Sequence, residues 1–542
     1  MPKTRLVATL LFAAFAKSIA QDHVHAQGDA EKLGTVHFAT SCSPAVAPEF
    51  DRAVALLHSF EFGASIRAFN DVLAKDSTCA MAYWGIALSR WSNPMATGSR
   101  GAPQLKQGKQ AADDASRLGA HATEREREYA SAVGKLYSEF EHIDQRTRMV
   151  AYERAMGELA ALQPADTEAK IFYALSLAAS ALPSDKTYAN QLKAGAILEA
   201  LWEKQPNHPG LAHYIIHAYD VPALAPQAAA AARRYAEIAP STAHALHMPS
   251  HTFTRVGMWE ASVTANRRSI DVAMRTGGMG EALHASDYSE YAYLQMGQDS
   301  AAKVVLSGLP SIVSQFDVNA ITGAAPGSAG VFAIAAIPAR YALERRAWRE
   351  AAALDAKTSA LPWTEAMTHF ARALGAAHIG DVAKARASID SLAAILARLS
   401  AAGEAYWAEQ VLIQQLGAQA WLDLAEHRAD SALAHMRDAA AHEDATEKSA
   451  VTPGPLAPAR ELLGDMLMDL NRPAEALAEY RATLTREPNR FRTLYGAMRA
   501  ASASGGQQAA SQYLAELKQL CAHADTPGRV ELGEIRTPRT AQ

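Results

Sequence analysis

The sequence predicts an all-α fold, a solenoid of helix-turn-helix units, and three observations carry that expectation. Alanine is abundant, and apolar residues recur at three- and four-residue spacing nearly everywhere after Pro48. Runs of β-branched residues are scarce, and no convincing strand is found. Near residues 457–490, Leu463-Gly464, Ala476, Tyr480 and Pro488 fall at the separations of a 34-residue helix-turn-helix repeat. Helix over at least about 60% of the mature chain is expected, with negligible strand.

From the N-terminus, residues 1–20 read as a secretory signal. Lys3 and Arg5 supply the charged start, Leu6 to Ala16 the apolar stretch, and Ser18-Ile19-Ala20 a cleavage site of small residues. The apolar run is too short to cross a bilayer, and no later stretch approaches about 20 uninterrupted apolar residues, so no membrane span is expected. The protein is therefore expected to be periplasmic or secreted. Residues 21–45 form an N-terminal segment; its Asp22-His23 and His25-Ala26 suggest disorder rather than a metal site using the free amine. Of the three cysteines, Cys42 lies just before the first helix and Cys79 just after the second. An antiparallel helix pair returns those points to one end, so a disulfide between them is expected after export, worth roughly 4 kcal/mol if strain is small.

Repeat units are expected from residue 46 to about residue 520. Phe62, Ile66, Phe69 and the segment CAMAYWGIAL (79–88) show the pattern at the start; Gly505 and Ala510 continue it at the end. Between them, units are placed near 133–206, 209–242, 243–276, 283–316, 368–400, 413–446 and 457–490. Residues 93–107 read as a loop, 322–330 as a Gly/Ala-rich hinge, and 451–458 as a break carrying three prolines. Two arrays result, 46–320 with most of the histidines of interest and 331–522, followed by a flexible tail over 523–542. The 542 residues need not imply several domains, because each unit of an array packs only on its neighbours. A net charge of −5 with mixed signs offers no broad basic surface, and nucleic acid is not expected as a partner.

These residues resemble tetratricopeptide repeat proteins, and the resemblance covers most of the mature chain. More narrowly, CAMAYWGIAL, HPGLAHYIIHAYD, HALHMPSH and EDATEKSAVTPGPLAPARELLGDML resemble segments of a group of long secreted bacterial tetratricopeptide proteins, to which no activity is attached. The general resemblance implies a right-handed superhelix whose concave wall is built from the first helix of each unit, chiefly its second, fifth and ninth places. Pro249 inside a first helix and the long 167–206 unit depart from the pattern.

Pro206 and Pro240 lie 34 residues apart, which aligns two consecutive units. His213 and His247 then share the fifth place, and His217 and His251 the ninth. A spacing of four puts both side chains of a pair on one helix face, and neighbouring first helices pack at about 8–10 Å. His244 and His284 fall at second places, Asp287 at a fifth and Tyr291 at a ninth. The imidazoles of His213, His217, His247 and His251 are therefore expected to converge on one metal ion, zinc first, with copper, iron or nickel as alternatives. His244, His284, Asp287, Tyr291 and Arg255 are the expected ligand-binding neighbours. If Pro249 starts its helix, His244 and His247 shift into the preceding turn. Protonated histidines binding an anionic peptide end or phosphate beside Arg255, and plain polar packing, are the competing readings.

Elsewhere, Arg460, Glu461 and Asp465 suit a solvated helix face, and Glu443, Asp444, Glu447 and Lys448 a helix boundary. Tyr83, Trp84 and Trp91 are spaced for packing. No glycine-rich phosphate loop, GxSxG elbow or HExxH motif occurs. Two functions are expected. One is a solenoid binding a protein or peptide partner, or a small ligand, in its concave groove around a histidine-held metal. The other is a metal-dependent enzyme, hydrolytic or oxidative, with Asp287, Asp220 or Tyr291 handling protons. Four protein ligands closing a tetrahedron favour the structural role, and an open position favours chemistry.

Overall fold

A computed structural model describes residues 31–96, 100–449 and 451–536. The signal sequence, the segment holding His23 and His25, and the last six residues lie outside the described residues. Helix makes up 72% of the described residues, and no strand occurs among them.

The repeat is clearest where the sequence shows it best. Ala459–Asp469 and Pro473–Arg486 form one helix pair, and Phe491–Ala503 and Gln507–Leu520 the next. Pro473 sits in the first turn of its helix, where its missing N–H leaves no bond unmade. The Tyr480 ring fills the gap between Gly464 and Gly496; a Cβ on Gly496 would lie 2.3 Å from that ring. Small residues at these places are what allow three helices to close around one aromatic side chain.

Successive first helices stack directly on one another. Gly327–Glu344 meets Pro362–His378, which meets Ala405–Ala425, then Ala459–Asp469, then Phe491–Ala503. This row is the inner wall of an all-α solenoid. The wall also closes on itself: Ala47–His58 packs on Pro209–Ala218, and Met279–Gln295 on Phe491–Ala503. Bonds from Trp259 Nε1–H to the Asn489 carbonyl (2.8 Å) and from Arg490 to Tyr291 Oη (2.8 Å) tie the two arrays together.

Three stretches differ from the sequence expectation. In the region expected as a hinge, residues 321–325 insert against the inner wall. The Gly63 N–H donates to the Thr322 carbonyl (2.9 Å), and the Ala325 N–H donates to Glu281 (2.9 Å). Gly63 is required there, since a Cβ would sit 2.5 Å from the Ile321 oxygen. The remainder of that stretch begins the helix Gly327–Glu344, and the loop after Asn93 gives way to helix at Ala102. In the tail expected to be flexible, Val530–Arg536 is a helix whose Leu532 and Ile535 are buried beside Phe491 and Leu517. Arg529 anchors it on Asp299, a partner 230 residues away that no local pattern reveals. The N-terminal segment is also held: Phe38 packs 5.2 Å from the buried Trp84, and Cys42 is bonded to Cys79 with Cα atoms 4.9 Å apart.

Candidate metal centre

Three successive first helices carry the histidines. Pro209–Ala218 has its proline in the first turn and presents His213 and His217 one turn apart. Ala243–His247 runs straight into Pro249–Arg255, because Met248 between them keeps helical angles (φ −52°, ψ −36°). Pro249 therefore removes one N–H without diverting the chain, and His247 and His251 keep their one-turn spacing. Met279–Gln295 brings His284. The inward closure of the solenoid buries all six rings, so a wall expected to face an open groove is sealed.

The six divide into two clusters of three. His213, His217 and His244 form one, and His247, His251 and His284 the other; within each, the candidate ligand atoms lie within 4.8 Å of one another. The four histidines expected on a single ion thus contribute two to each cluster, and His244 and His284, expected as neighbours, complete them. The clusters abut, with ring centroids 5.9 Å apart for His244 and His247 and 6.2 Å for His217 and His251.

Tautomers follow from the outer partners. His213 Nδ1–H donates to the His58 carbonyl (2.6 Å), which can only accept. His244 Nδ1–H donates to Glu281 (2.9 Å). Burial raises the Glu281 carboxyl, but His244 and the surrounding donors outweigh it and bring it down to about 2. The inner nitrogens, His213 Nε2 and His244 Nε2, face each other at 3.1 Å. The second cluster repeats the scheme. His247 Nδ1–H donates to Asn266 Oδ1 (2.6 Å), whose orientation is fixed by its own NH2 group donating to the Ser262 carbonyl (2.7 Å). His251 Nδ1–H donates to Asp220 (2.9 Å), a carboxylate that burial would raise and that Lys448 and Arg255 hold well below its usual range. His247 Nε2 and His251 Nε2 meet at 3.0 Å. Burial pushes His213, His217 and His284 well below the usual imidazole range, and His247 to about 3. With Nδ1 donating outward on these four rings, the inner Nε2 atoms of each pair face one another with room for a proton or a metal ion between them. His217 Nε2 and His284 Nδ1 are buried without a hydrogen-bond partner.

A third buried cluster makes the contrast. His58 Nε2–H and His208 Nε2–H both donate to Glu168 (2.9 Å each), and Tyr214 Oη–H donates to His58 Nδ1 (3.0 Å). Each of these contacts has a donor and an acceptor, although His208 Nδ1 is buried without a hydrogen-bond partner. The two histidine clusters lack that complementarity. In each, one nitrogen pair at 3.1 or 3.0 Å matches the roughly 3–3.5 Å between ligands that sit about 2.0–2.1 Å from one ion, and the third ligand atom lies within 4.8 Å.

Other expected site residues go elsewhere. Asp287 is buried in a close ion pair with Arg340. Tyr291 lies seven residues beyond His284, about 10.5 Å along the helix axis, and its hydroxyl joins Glu487 (3.0 Å) and Arg490. Neither reaches the imidazoles. Arg255 braces Asp220 (2.9 Å) rather than facing a ligand. Residues that sequence reasoning missed take their places: Glu281, Asn266, the His58 carbonyl, and Tyr288, whose ring stacks on His251 at 4.9 Å. Asp220, named only as a proton carrier, anchors His251. Glu281 and Tyr288 were visible in principle, each one turn from His284 on the same helix; Asn266 and His58 come from other helices.

A cavity of about 380 Å³ adjoins the first cluster, with His217, Asp220 and Lys448 in its wall. Its far side comes from Tyr406 and Glu447 of the C-terminal array. No helix among the described residues is long and apolar enough to cross a membrane.

No family model matches the chain, and no curated protein matches it. Among solved structures, a human IFIT1 dimer with m7Gppp-AAAA is similar at 10% identity and a TM-score of 0.36, over 82% of this chain and 90% of that one. The Cut9–Hcn1 hetero-tetramer of APC/C is similar at 11% identity and a TM-score of 0.33, over 90% and 88%. Likeness at this level carries no functional argument; the helix pairing itself defines the fold.

Proposed function

We propose that this protein is a metal-dependent enzyme that holds two transition-metal ions, one in each histidine cluster, and acts on a small molecule admitted by the adjoining cavity. The observation that supports this best is the meeting of Nε2 with Nε2 at 3.1 and 3.0 Å, with the Nδ1 of all four rings committed as donors. Facing lone pairs repel unless a proton or a metal ion lies between them, and the buried, pre-oriented rings favour the metal ion. Carboxylates behind His244 and His251 orient the rings and raise their basicity, as metal-bound histidines require. Sets of three imidazoles suit zinc, copper, iron or nickel rather than magnesium, calcium or manganese. Three protein ligands leave a position open, which favours chemistry over a purely structural ion. When bound, such ions supply Lewis acidity and an activated water or, for copper and iron, redox chemistry. The chain's own residues exclude water and fix the rings.

A protein or peptide partner in the groove fits less well, because the histidine-bearing wall is buried and the cavity that reaches His217 has the size of a small-molecule site. Export is supported by the signal-like residues 1–20 and the Cys42–Cys79 bridge, which belong to an oxidising compartment.

The test is elemental analysis of the mature protein after loading with each candidate metal and desalting. About two ions per chain are expected. His213→Ala with His244→Ala should retain about one, as should His247→Ala with His251→Ala, with helix content by circular dichroism unchanged. A parent protein that retains no ion from any of the four metals sinks the proposal and leaves a shared proton between each nitrogen pair.

A further inference from the structure

The cavity beside His217 carries an imbalance of charge on its N-terminal wall. Arg100 is half-buried there, its guanidinium stacked 4.2 Å from the Trp91 ring centroid. Its Nε and one terminal nitrogen donate to the carbonyls of Trp91 and Asn93, and Arg146 at the exposed mouth donates to the Ser180 carbonyl (3.0 Å). Neither guanidinium has a carboxylate partner among the described residues. This differs from the lining residues Lys448, which is matched by Asp220, and Glu447, which is paired with Lys186. A cation withdrawn from water without a counter-charge is costly, and burial brings Arg100 down to about 10. An anion in the cavity would remove the imbalance. The same lining includes the apolar side chains of Met95, Met149 and Leu182 as well as His217.

We propose that the cavity admits an organic carboxylate, its charged end held by Arg100 and Arg146 and its apolar body directed toward His217. The donors left on two partly committed guanidiniums match the two oxygens of a carboxylate. The volume of about 380 Å³ is that of a small-molecule site. The proposal rests on the reading of the clusters as metal sites, because His217 is the clustered histidine that lines the cavity. It names the substrate class: an aromatic or aliphatic acid, neither a free inorganic anion nor a neutral apolar molecule.

The experiment is calorimetric titration of the metal-loaded protein with benzoate, benzyl alcohol and inorganic phosphate, repeated on metal-stripped protein. Benzoate should bind with an affinity that falls as salt is added, and at least tenfold more tightly than the alcohol or phosphate. Arg100→Gln and Arg146→Gln should each weaken benzoate tenfold or more, with Arg100→Lys recovering part of the loss. If Arg100→Gln disturbs the fold by circular dichroism, Arg146→Gln, at the exposed mouth, decides. Equal binding of benzoate and benzyl alcohol, a preference for phosphate, or benzoate binding untouched by the folded arginine variants would overturn the proposal. Metal content is measured on the same samples. Ions retained without benzoate binding sink this inference alone; benzoate binding by a chain that takes up no metal sinks the preceding one.

Discussion

At His244, the nitrogen that faces the cluster is selected by the one that does not. Glu281 accepts from Nδ1, so Nε2 is left bare and turned toward His213. The same logic fixes His213 through a backbone carbonyl, His247 through Asn266 and His251 through Asp220. Glu281→Gln keeps an acceptor for Nδ1–H but loses the charge that supports the ring. It should weaken metal at the first cluster by about tenfold while leaving the second unchanged. Competition titration with a chelator of known affinity checks this, and an unchanged pair of affinities would show that Glu281 only packs. The histidine types and spacings were legible in the sequence because they repeat with the unit. The anchors were not, because Asn266 lies 19 residues from His247 on a helix and Asp220 lies 31 from His251 in the turn after Pro209–Ala218, and only packing decides what they face.

Among the elements, Ala243–His247 and Pro249–Arg255 show how a local exception is absorbed. Pro249 forbids one helical hydrogen bond, yet the flanking bonds from His251 N–H to the Met248 carbonyl (3.1 Å) and from Met248 N–H to the His244 carbonyl (2.9 Å) carry the turn through. The departure that threatened the alignment of the two units therefore leaves His247 and His251 on one face. The unit at 459–486 illustrates the opposite case, a repeat that follows its pattern. Its Tyr480 ring is clasped by Gly464 and Gly496, which leaves no room for even one methyl. Gly496→Ala should destabilise the protein by about 1–3 kcal/mol through overpacking, read as a lower denaturation midpoint with an unchanged slope. A midpoint equal to the parent's would mean that the tyrosine leaves its slot at no cost.

Across the whole molecule, the six imidazoles sit where three repeat units meet, and the solenoid closes over them with residues 321–325 and the segment around Lys448 and Thr452. Enclosure disfavours the protonated form of most of these rings and so makes stability depend on pH. His213, His217, His247 and His284 have folded values below the ordinary imidazole value near 6.5, with His247 at about 3. As the pH falls below about 6.5 the unfolded chain takes up protons that the folded chain refuses, so stability present above that value drains away toward about pH 3. Each such imidazole costs roughly 1–2 kcal/mol per pH unit in that window. The metal-free protein should therefore unfold at a markedly lower temperature at pH 5 than at pH 7. Bound metal should raise the transition at pH 7, by about 2.7 kcal/mol of stability at a hundredfold excess over Kd. Thermal scans with and without metal check both; a transition indifferent to pH between 7 and 5 would show that the native clusters already share protons.

The sequence by itself determined the helices, the repeat and the presence of a histidine-rich patch, because helical periodicity and a recurring unit are local properties written into each stretch of chain. His213, His217, His247 and His251 could be found that way, and so could the bond between Cys42 and Cys79 at the ends of a helix hairpin. Only the tertiary structure decided that the patch is two clusters rather than one. It also placed Asp287 and Tyr291 with arginines, and held a polar tail on Asp299. Those outcomes depend on how far each helix is displaced and rotated against neighbours as much as 230 residues away, and a repeat pattern fixes the spacing within a unit but not the closure of the array.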